Sequence, residues 1–260
     1  GVQTVQDALR YTAGVVADPY GNDSRGDYSL IRGSDYQTFL DGTRQPAPDF
    51  IYVKPDPYQL ESVQVLKGPA SVLYGQGSSG GLVNLMSKQP QAVTGGELVA
   101  DYGTYNRKQI RADFTGPLDA GQHWLYRVVA VGRDSGTQVD YVKDNRALLV
   151  PSLRWQPDAN THLTLRATWQ YDASGSNSTF PPHSGTRLPN PNGRIPTSRF
   201  TSEPGFDRYD SGQAGMAYAF EHRFSNVWSL RQNVRFSRAR VDYDSIYPDD
   251  FSNPDDPFID

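Results

Sequence analysis

From Gly95 onward the chain falls into long segments in which apolar and polar residues alternate one by one. Period 2 sends successive side chains to opposite faces, so each segment reads as a strand with one face in an apolar medium and the other in a polar one. Arg107–Leu118 sets Ile110, Ala112, Phe114 and Leu118 against Gln109, Arg111, Asp113 and Thr115. Thr161–Asp172 sets Leu163, Leu165, Ala167, Trp169 and Tyr171 against His162, Thr164, Arg166, Thr168, Gln170 and Asp172. Segments around Trp124–Ala130, Ala147–Trp155, Ala214–Phe224 and Trp228–Phe236 repeat the pattern, and Glu97–Tyr102 makes a seventh. Seven is fewer than the roughly eight strands of the smallest outer-membrane barrels. Such a set leaves two unpaired edges and a bare apolar face, so residues 1–260 alone are expected to aggregate.

The connections sort by length. Asp119–Gln122, Pro157–Asn160 and Ser225–Asn226 are tight, whereas Asp134–Asn145 and Ser174–Asp210 are long and rich in Pro, Gly, Asn and Ser. Short turns at one end and long loops at the other fit an outer-membrane barrel with its short side periplasmic. A soluble sandwich or up-and-down barrel also alternates. Two features favour the membrane: strands of about ten residues or more, and Trp124, Trp155, Trp169 and Trp228 near the ends of apolar faces, where an aromatic girdle would lie.

Before about residue 93 the pattern is different. Thr4–Tyr11 suits one short helix, with Thr4 as N-cap, Asp7 in the first turn and Gly14 just past its end. Short extended pieces follow at Tyr28–Arg32, Thr38–Leu40, Phe50–Val53 and Ser62–Leu66, each bounded by Gly, Pro or Asp. This is a small α+β unit.

Composition limits the chemistry. With 37% hydrophobic residues, 21% charged and a net charge of −4, the chain is neither a disordered acidic tail nor a basic nucleic-acid binder. No apolar run approaches the ~18 residues of a membrane-spanning helix. Absence of cysteine excludes thiolate catalysis, disulfides and Cys-type zinc sites. The N-terminus carries no basic-then-apolar leader, which suits a processed chain or a start within a larger protein.

Several motifs tempt and fail. Gly75-Gln76-Gly77-Ser78-Ser79-Gly80 matches G-x-G-x-x-G with Glu97 about twenty residues on, but Leu82–Leu85 is β-like and Pro90 ends the segment, leaving no crossover helix. Gly77–Gly81 is formally G-x-S-x-G, again without the helix a nucleophile elbow needs. His123, His162, His183 and His222 have no ligand spacing, and the acidic run Asp249–Asp260 lacks a calcium-loop pattern. No enzyme active site can be assembled.

Tyr58-Gln59-Leu60-Glu61-Ser62-Val63-Gln64-Val65-Leu66-Lys67-Gly68-Pro69-Ala70-Ser71-Val72-Leu73-Tyr74-Gly75, continuing through Gly80–Asn84 to Lys88-Gln89-Pro90, closely resembles the plug domain of TonB-dependent outer-membrane receptors. Val5–Arg10, Gly14-Val15, Ile31-Arg32-Gly33 and Leu40-Asp41-Gly42 fall in order at matching upstream elements. Leu188–Thr197 and Trp228–Phe236 resemble the third long loop and seventh strand of the ferrichrome-type, hydroxamate siderophore branch.

The resemblance implies an α+β plug domain at 1–93, lacking its N-terminal part, followed at 94–260 by antiparallel transmembrane β-barrel strands, part of a roughly 22-stranded barrel. It implies a protein of the Gram-negative outer membrane, surrounded by lipid and lipopolysaccharide, that binds a ferric siderophore and imports it by TonB-coupled transport. TonB would engage an N-terminal box absent from this chain. No cofactor is implied, and the protein need not ligate iron, because the siderophore fills the metal's coordination sphere. The site needs aromatic walls and a few donors. Matched residue by residue, Arg32, Gln45, Tyr58, Phe180 and Tyr247 fall at siderophore-binding positions. Arg32 also suits a brace between plug and barrel carboxylates, and Tyr58 a packing role. Ser178 and Asp249 stand where the branch has aromatics, so the cargo departs from ferrichrome more readily than the family does. Cobalamin and glycan receptors are the alternatives within the class, and a passive porin-like channel the alternative outside it.

Overall fold

In the computed structural model, residues 2–21, 23–46, 50–68, 78–175 and 181–246 are described. Helix α1 spans Val5–Leu9 and opens as its sequence prescribes, with the Thr4 hydroxyl accepting the Asp7 amide at 3.1 Å. Strands β1 (Val15–Ala17) and β2 (Ser29–Ile31) pair antiparallel. A four-stranded sheet follows, built from β3 (Gln37–Leu40), β4 (Thr43–Arg44), β5 (Leu60–Lys67) and β6 (Gly81–Ser87) in the order β4-β3-β6-β5, with β3 and β6 parallel. Asp41 and Gly42, both at positive φ (51° and 77°), close the β3–β4 hairpin as an Asp-Gly turn. Val5, Leu9, Ile31, Leu40, Leu60, Val83 and Leu85 form the core of this unit.

Gly80 and Gly81 are required sterically. A Cβ on Gly81, at φ +122°, would sit 2.0 Å from the Leu66 carbonyl oxygen, and one on Gly80 would sit 2.6 Å from that of Asp35. These glycines admit close backbone approach at the start of a strand; no helix follows them.

The remaining strands form one antiparallel sheet in chain order. They are β7 (Gly95–Gly103), β8 (Arg107–Pro117), β9 (Trp124–Asp134), β10 (Asp144–Asp158), β11 (Thr161–Ser174), β12 (Arg208–Arg223) and β13 (Ser229–Asp244). All seven expected segments are strands, and the tight and long connections fall where the spacing placed them. At 9 to 16 residues, they meet the ~9–11 needed for a tilted strand to cross a bilayer. Among the described residues no helix is long and apolar enough to cross a membrane, which leaves β-strand crossing untouched.

The two faces differ as the alternation requires. Leu98, Ile110, Phe114, Trp124, Leu149, Leu165, Trp169, Met216 and Phe236 are exposed on the outer face. Asp113, Arg127, Arg133, Arg146, Ser152, Arg166, Gln170 and Asp172 are buried on the inner face, against the N-terminal unit. Trp124 and Trp155 adjoin at 6.2 Å near the tight-turn end, and Trp169 stands nearer the long loops.

One extended piece is corrected. Phe50–Val53 forms no strand; its backbone bonds to side chains of β12 instead. The Tyr209 hydroxyl donates to the Phe50 carbonyl and accepts the Tyr52 amide, both at 3.0 Å, and Gln213 Nε2 reaches the Tyr52 carbonyl at 3.4 Å. The polar inner wall satisfies groups that a neighbouring strand would otherwise pair.

Candidate functional site at the long-loop end

The inner face of the sheet holds the N-terminal unit through three carboxylates. Asp41, in the β3–β4 turn, accepts Arg166 Nη1 from β11 and Arg235 Nη2 from β13, each at 2.9 Å, and both donors of Ser87, each at 2.8 Å. Asp56 accepts Arg146 Nη1 at 3.0 Å, while Arg146 Nε turns to Asp172 at 2.5 Å and Arg133 pairs with Asp144 at 2.7 Å. Asp113 of β8 takes a bidentate Arg127 at 2.7 and 2.8 Å together with Lys88 at 2.7 Å, and Arg127 also donates to the Gln89 carbonyl. Every one of these arginines lies on the inward parity of its strand. Most of these groups are buried, and further bonds offset their desolvation, as where Asp172 also accepts Gln170 Nε2 at 2.6 Å and Asp56 the Tyr58 amide at 3.0 Å.

At the long-loop end the contact is aromatic. Ring contacts run Tyr20–Tyr28 (5.9 Å), Tyr28–Tyr52 (5.4 Å), Tyr52–Tyr209 (6.0 Å), Tyr209–Tyr243 (5.5 Å) and Tyr243–Phe50 (6.2 Å). Arg25 is clamped by Asp23, lies 5.5 Å from the centre of the Tyr243 ring and donates to its hydroxyl at 2.6 Å. The run crosses from the N-terminal unit to β12 and β13 and back. Alternation reveals it only in part, since Tyr209 and Tyr243 sit on the polar parity of their strands, a departure visible in the sequence.

The residues singled out by sequence are dispersed. Arg32 is exposed at φ +53°, lies beside Gly68, and makes no salt bridge to a described carboxylate. Gln45 is buried, with its amide on the Thr38 carbonyl and its side chain 3.4 Å from the Thr43 carbonyl. Tyr58 stands in a short 3-10 turn, Pro57–Gln59, and packs on Val129, Val131, Leu148 and Val150. Its ring lies between Lys88 (4.2 Å) and Arg111 (5.0 Å), and its hydroxyl donates to Glu97 at 2.9 Å. Burial, reinforced by that bond, pushes the phenol above its ordinary range, so it stays a neutral donor. Among the described residues no bond joins Arg32, Gln45 and Tyr58 to one another. Phe180 and Tyr247, like Ser178 and Asp249, lie outside the described residues. The roots of their loops are tied to the N-terminal unit: Ser24 donates to the Gly175 carbonyl at 2.8 Å, and Arg25 holds Tyr243.

Asp27 carries a buried carboxyl oxygen, Oδ1, with no partner among the described residues. Its Oδ2 accepts the Val5 amide at 3.1 Å. Burial raises this carboxyl above the usual range against the pull of Lys54 and Arg146.

A cleft of about 840 Å³ opens between α1, the 18–24 segment and the ends of β7–β9, lined by Asp7, Asp18, Asp23, Lys54, Arg107 and Asp144. Among the described residues no cluster of His, Asp or Glu has the makings of a metal site.

A folded plug bonded to the polar inner face of antiparallel strands, whose outer face is apolar and belted with tryptophan, defines a plugged β-barrel receptor of a membrane. Residues 1–82 match the TonB-dependent Receptor Plug Domain. The chain belongs to the TonB-dependent receptors of the Gram-negative outer membrane, a family of transport receptors and not of enzymes. It is 34% identical over 253 residues to the ferrioxamine B receptor of Salmonella typhimurium LT2, covering 95% of this chain and 36% of that protein. It is 31% identical over 251 residues to the ferrichrome outer membrane transporter/phage receptor of Escherichia coli K12, covering 94% and 34%. The chain thus spans about a third of the length of these relatives. In fold it matches the ferric-catecholate import receptor Fiu of E. coli K12 with a TM-score of 0.83 at 24% identity, over 94% of this chain and 35% of that one.

Proposed function

We propose that the chain is the plug (1–93) and the first wall strands (94–260) of a receptor that captures a ferric hydroxamate siderophore outside the cell and imports it by TonB-coupled transport. The complete wall is a roughly 22-stranded barrel set in lipid and lipopolysaccharide, and TonB docks on a box outside this chain. The observation that carries the reading is the set of carboxylates, paired with largely buried arginines, that pin the plug to the inner wall. A porin has no use for a stopper held by Asp41, Asp56 and Asp113, whereas an energy-coupled importer needs one that opens only when work is done. Similarity along nearly the whole chain to the ferrioxamine B receptor supports a hydroxamate cargo.

In this reading Arg32, Gln45 and Tyr58 belong to the plug side of the ligand site, and Phe180 and Tyr247 to the wall side. The tethering of both loop roots to the plug supports the pairing. A strain deleted for the receptor should fail to grow under iron limitation on ferrioxamine B or a related ferric hydroxamate and recover when the gene is restored. Dependence on cobalamin or a glycan instead would overturn the cargo.

A further inference from the structure

The outer face of the wall is apolar but not level. A groove of about 530 Å³ crosses β9–β13 on that face, and its lining is almost wholly apolar. Register explains its shape. Val128, Pro151 and Ala167 fall in one row across β9, β10 and β11, and all three have short side chains. On the tight-turn side stands a taller row, Tyr126, Leu153, Leu165 and Tyr218, each opposite the next. On the other side stand Leu149 and Trp169. Met216 and Phe236 close the low row on β12 and β13.

The floor of this groove is also an interruption in the sheet. β10 lies between β9 and β11, and proline is normally kept out of such a central strand because it has no amide to donate. The pairing of β10 with β11 runs to Leu149–Trp169 and resumes at Ser152–Arg166, with Val150 and Pro151 passed over. The inner side of the same seam carries Arg166, next in the chain to Ala167, whose guanidinium reaches Asp41 of the plug at 2.9 Å. The ladder is thus broken directly behind a contact that pins the plug, and the outer side of the break is a hollow. An unfilled hollow forgoes the dispersion contacts that its lining could make.

Depth decides what fills it. Along β9 and β10, Val128 and Pro151 each lie four residues from the paired tryptophans, Trp124 and Trp155, at the tight-turn end. At ~3.3 Å per residue and ~40° of strand tilt, that is about 10 Å of depth, within the nearer half of a hydrocarbon core ~30 Å thick. Tight turns of an outer-membrane barrel are periplasmic, so the groove opens to the phospholipid leaflet and not to the lipopolysaccharide one. A volume of about 530 Å³ is within the ~300–1,000 Å³ of small-molecule sites. A chain lying in the trough touches protein on several sides, whereas one on a flat wall touches it on one.

We infer that this groove is a binding site for one acyl chain of a phospholipid from the periplasmic leaflet, held there in preference to the boundary lipid around it and backing the β10–β11 seam behind Arg166. The inference depends on the outer-membrane setting of the wall and not on the cargo.

The test uses the intact receptor in vesicles of phosphatidylethanolamine and phosphatidylglycerol that contain a graded small fraction of phosphatidylethanolamine with a photoreactive acyl chain. After illumination the labelled peptides are mapped. Labelling of the peptides that carry Pro151, Leu165 and Tyr218 should saturate at a probe fraction where labelling elsewhere on the outer face still rises in proportion. Ala167→Phe, which fills the low row, should cut labelling at the groove about tenfold. Ala130→Phe, on the outer face but outside the groove, should leave it unchanged. Labelling spread evenly over the outer face, or labelling at the groove unmoved by Ala167→Phe, overturns the inference. Loss of groove labelling as receptor density in the vesicles rises would assign the groove to a second copy of the receptor and overturn it as well. Should Ala167→Phe fail to assemble, the wild-type map alone decides, since it separates a saturable site from even labelling.

Discussion

Asp41→Asn isolates the charge at the best-connected plug–wall contact. Asparagine tolerates the left-handed conformation that the β3–β4 turn imposes at this position, so the backbone is spared. What is lost is the carboxylate that, among the described residues, pairs with both Arg166 and Arg235, whose side chains are only 7% and 11% exposed. Removing one partner of a buried pair costs about 3–5 kcal/mol, chiefly through the cation left behind. Asp41 itself is 20% exposed, so the lower end applies despite the two arginines. A loss of about 3 kcal/mol shifts the docked-to-displaced ratio of the plug by about 150-fold. With a urea slope of about 1–3 kcal/mol/M, plug displacement should occur at roughly 1–3 M less urea. The assay is ion conductance through the intact receptor in a planar bilayer as urea is raised, where an opened lumen reads directly as current. Replacing Arg166 and Arg235 by Gln in the Asp41→Asn background should recover part of the loss, since no uncompensated cation then remains. Opening at the wild-type urea concentration in Asp41→Asn, or no recovery in the triple variant, would refute the electrostatic account.

Three further outcomes are expected. Phe180→Ala and Tyr247→Ala in the intact receptor should each weaken ferric hydroxamate binding in a calorimetric titration, and unchanged affinity would remove that residue from the site. Asp27→Asn should raise the urea midpoint at neutral pH: a carboxyl whose folded pKa lies above its unfolded 3.8 favours folding below 3.8 and loses that contribution as pH rises through the folded value. The advantage of the variant should therefore fade as pH falls toward 3.8, and a gain that is constant with pH would sink the assignment. Residues 1–260 expressed alone should be polydisperse by light scattering, because β7 and β13 present free edges and the outer face is bare; a monodisperse soluble monomer would contradict this.

The wall is legible in the sequence because a period of 2 is a local property: Leu163, Leu165 and Ala167 declare their face without reference to any other strand. The hairpin at Leu40-Asp41-Gly42-Thr43 is equally local, being a two-residue Asp-Gly loop, though it stands out first as a family motif. The plug–wall contacts are not legible. Asp41 meets Arg166 and Arg235 across separations of 125 and 194 residues, and alternation says only that each arginine faces inward, not which acid it finds. Phe50 departs from expectation for a related reason. Its segment has strand composition, but its hydrogen-bond partners are the side chains of Tyr209 and Gln213, and a propensity has no way to register a side chain that substitutes for a neighbouring strand.

That substitution bears on mechanism. A segment paired to a strand would bind the plug to the wall through a continuous ladder, and releasing it would require breaking many backbone bonds together. A segment held by the side chains of Tyr209 and Gln213, in a unit otherwise pinned by arginine–carboxylate pairs, could be released one contact at a time, each contact being replaceable by water. The polar inner face is therefore more than what is left when apolar residues turn to the membrane. In the proposed importer it would let the plug be held firmly when closed and still leave, which a ladder of strands or an apolar core would forbid.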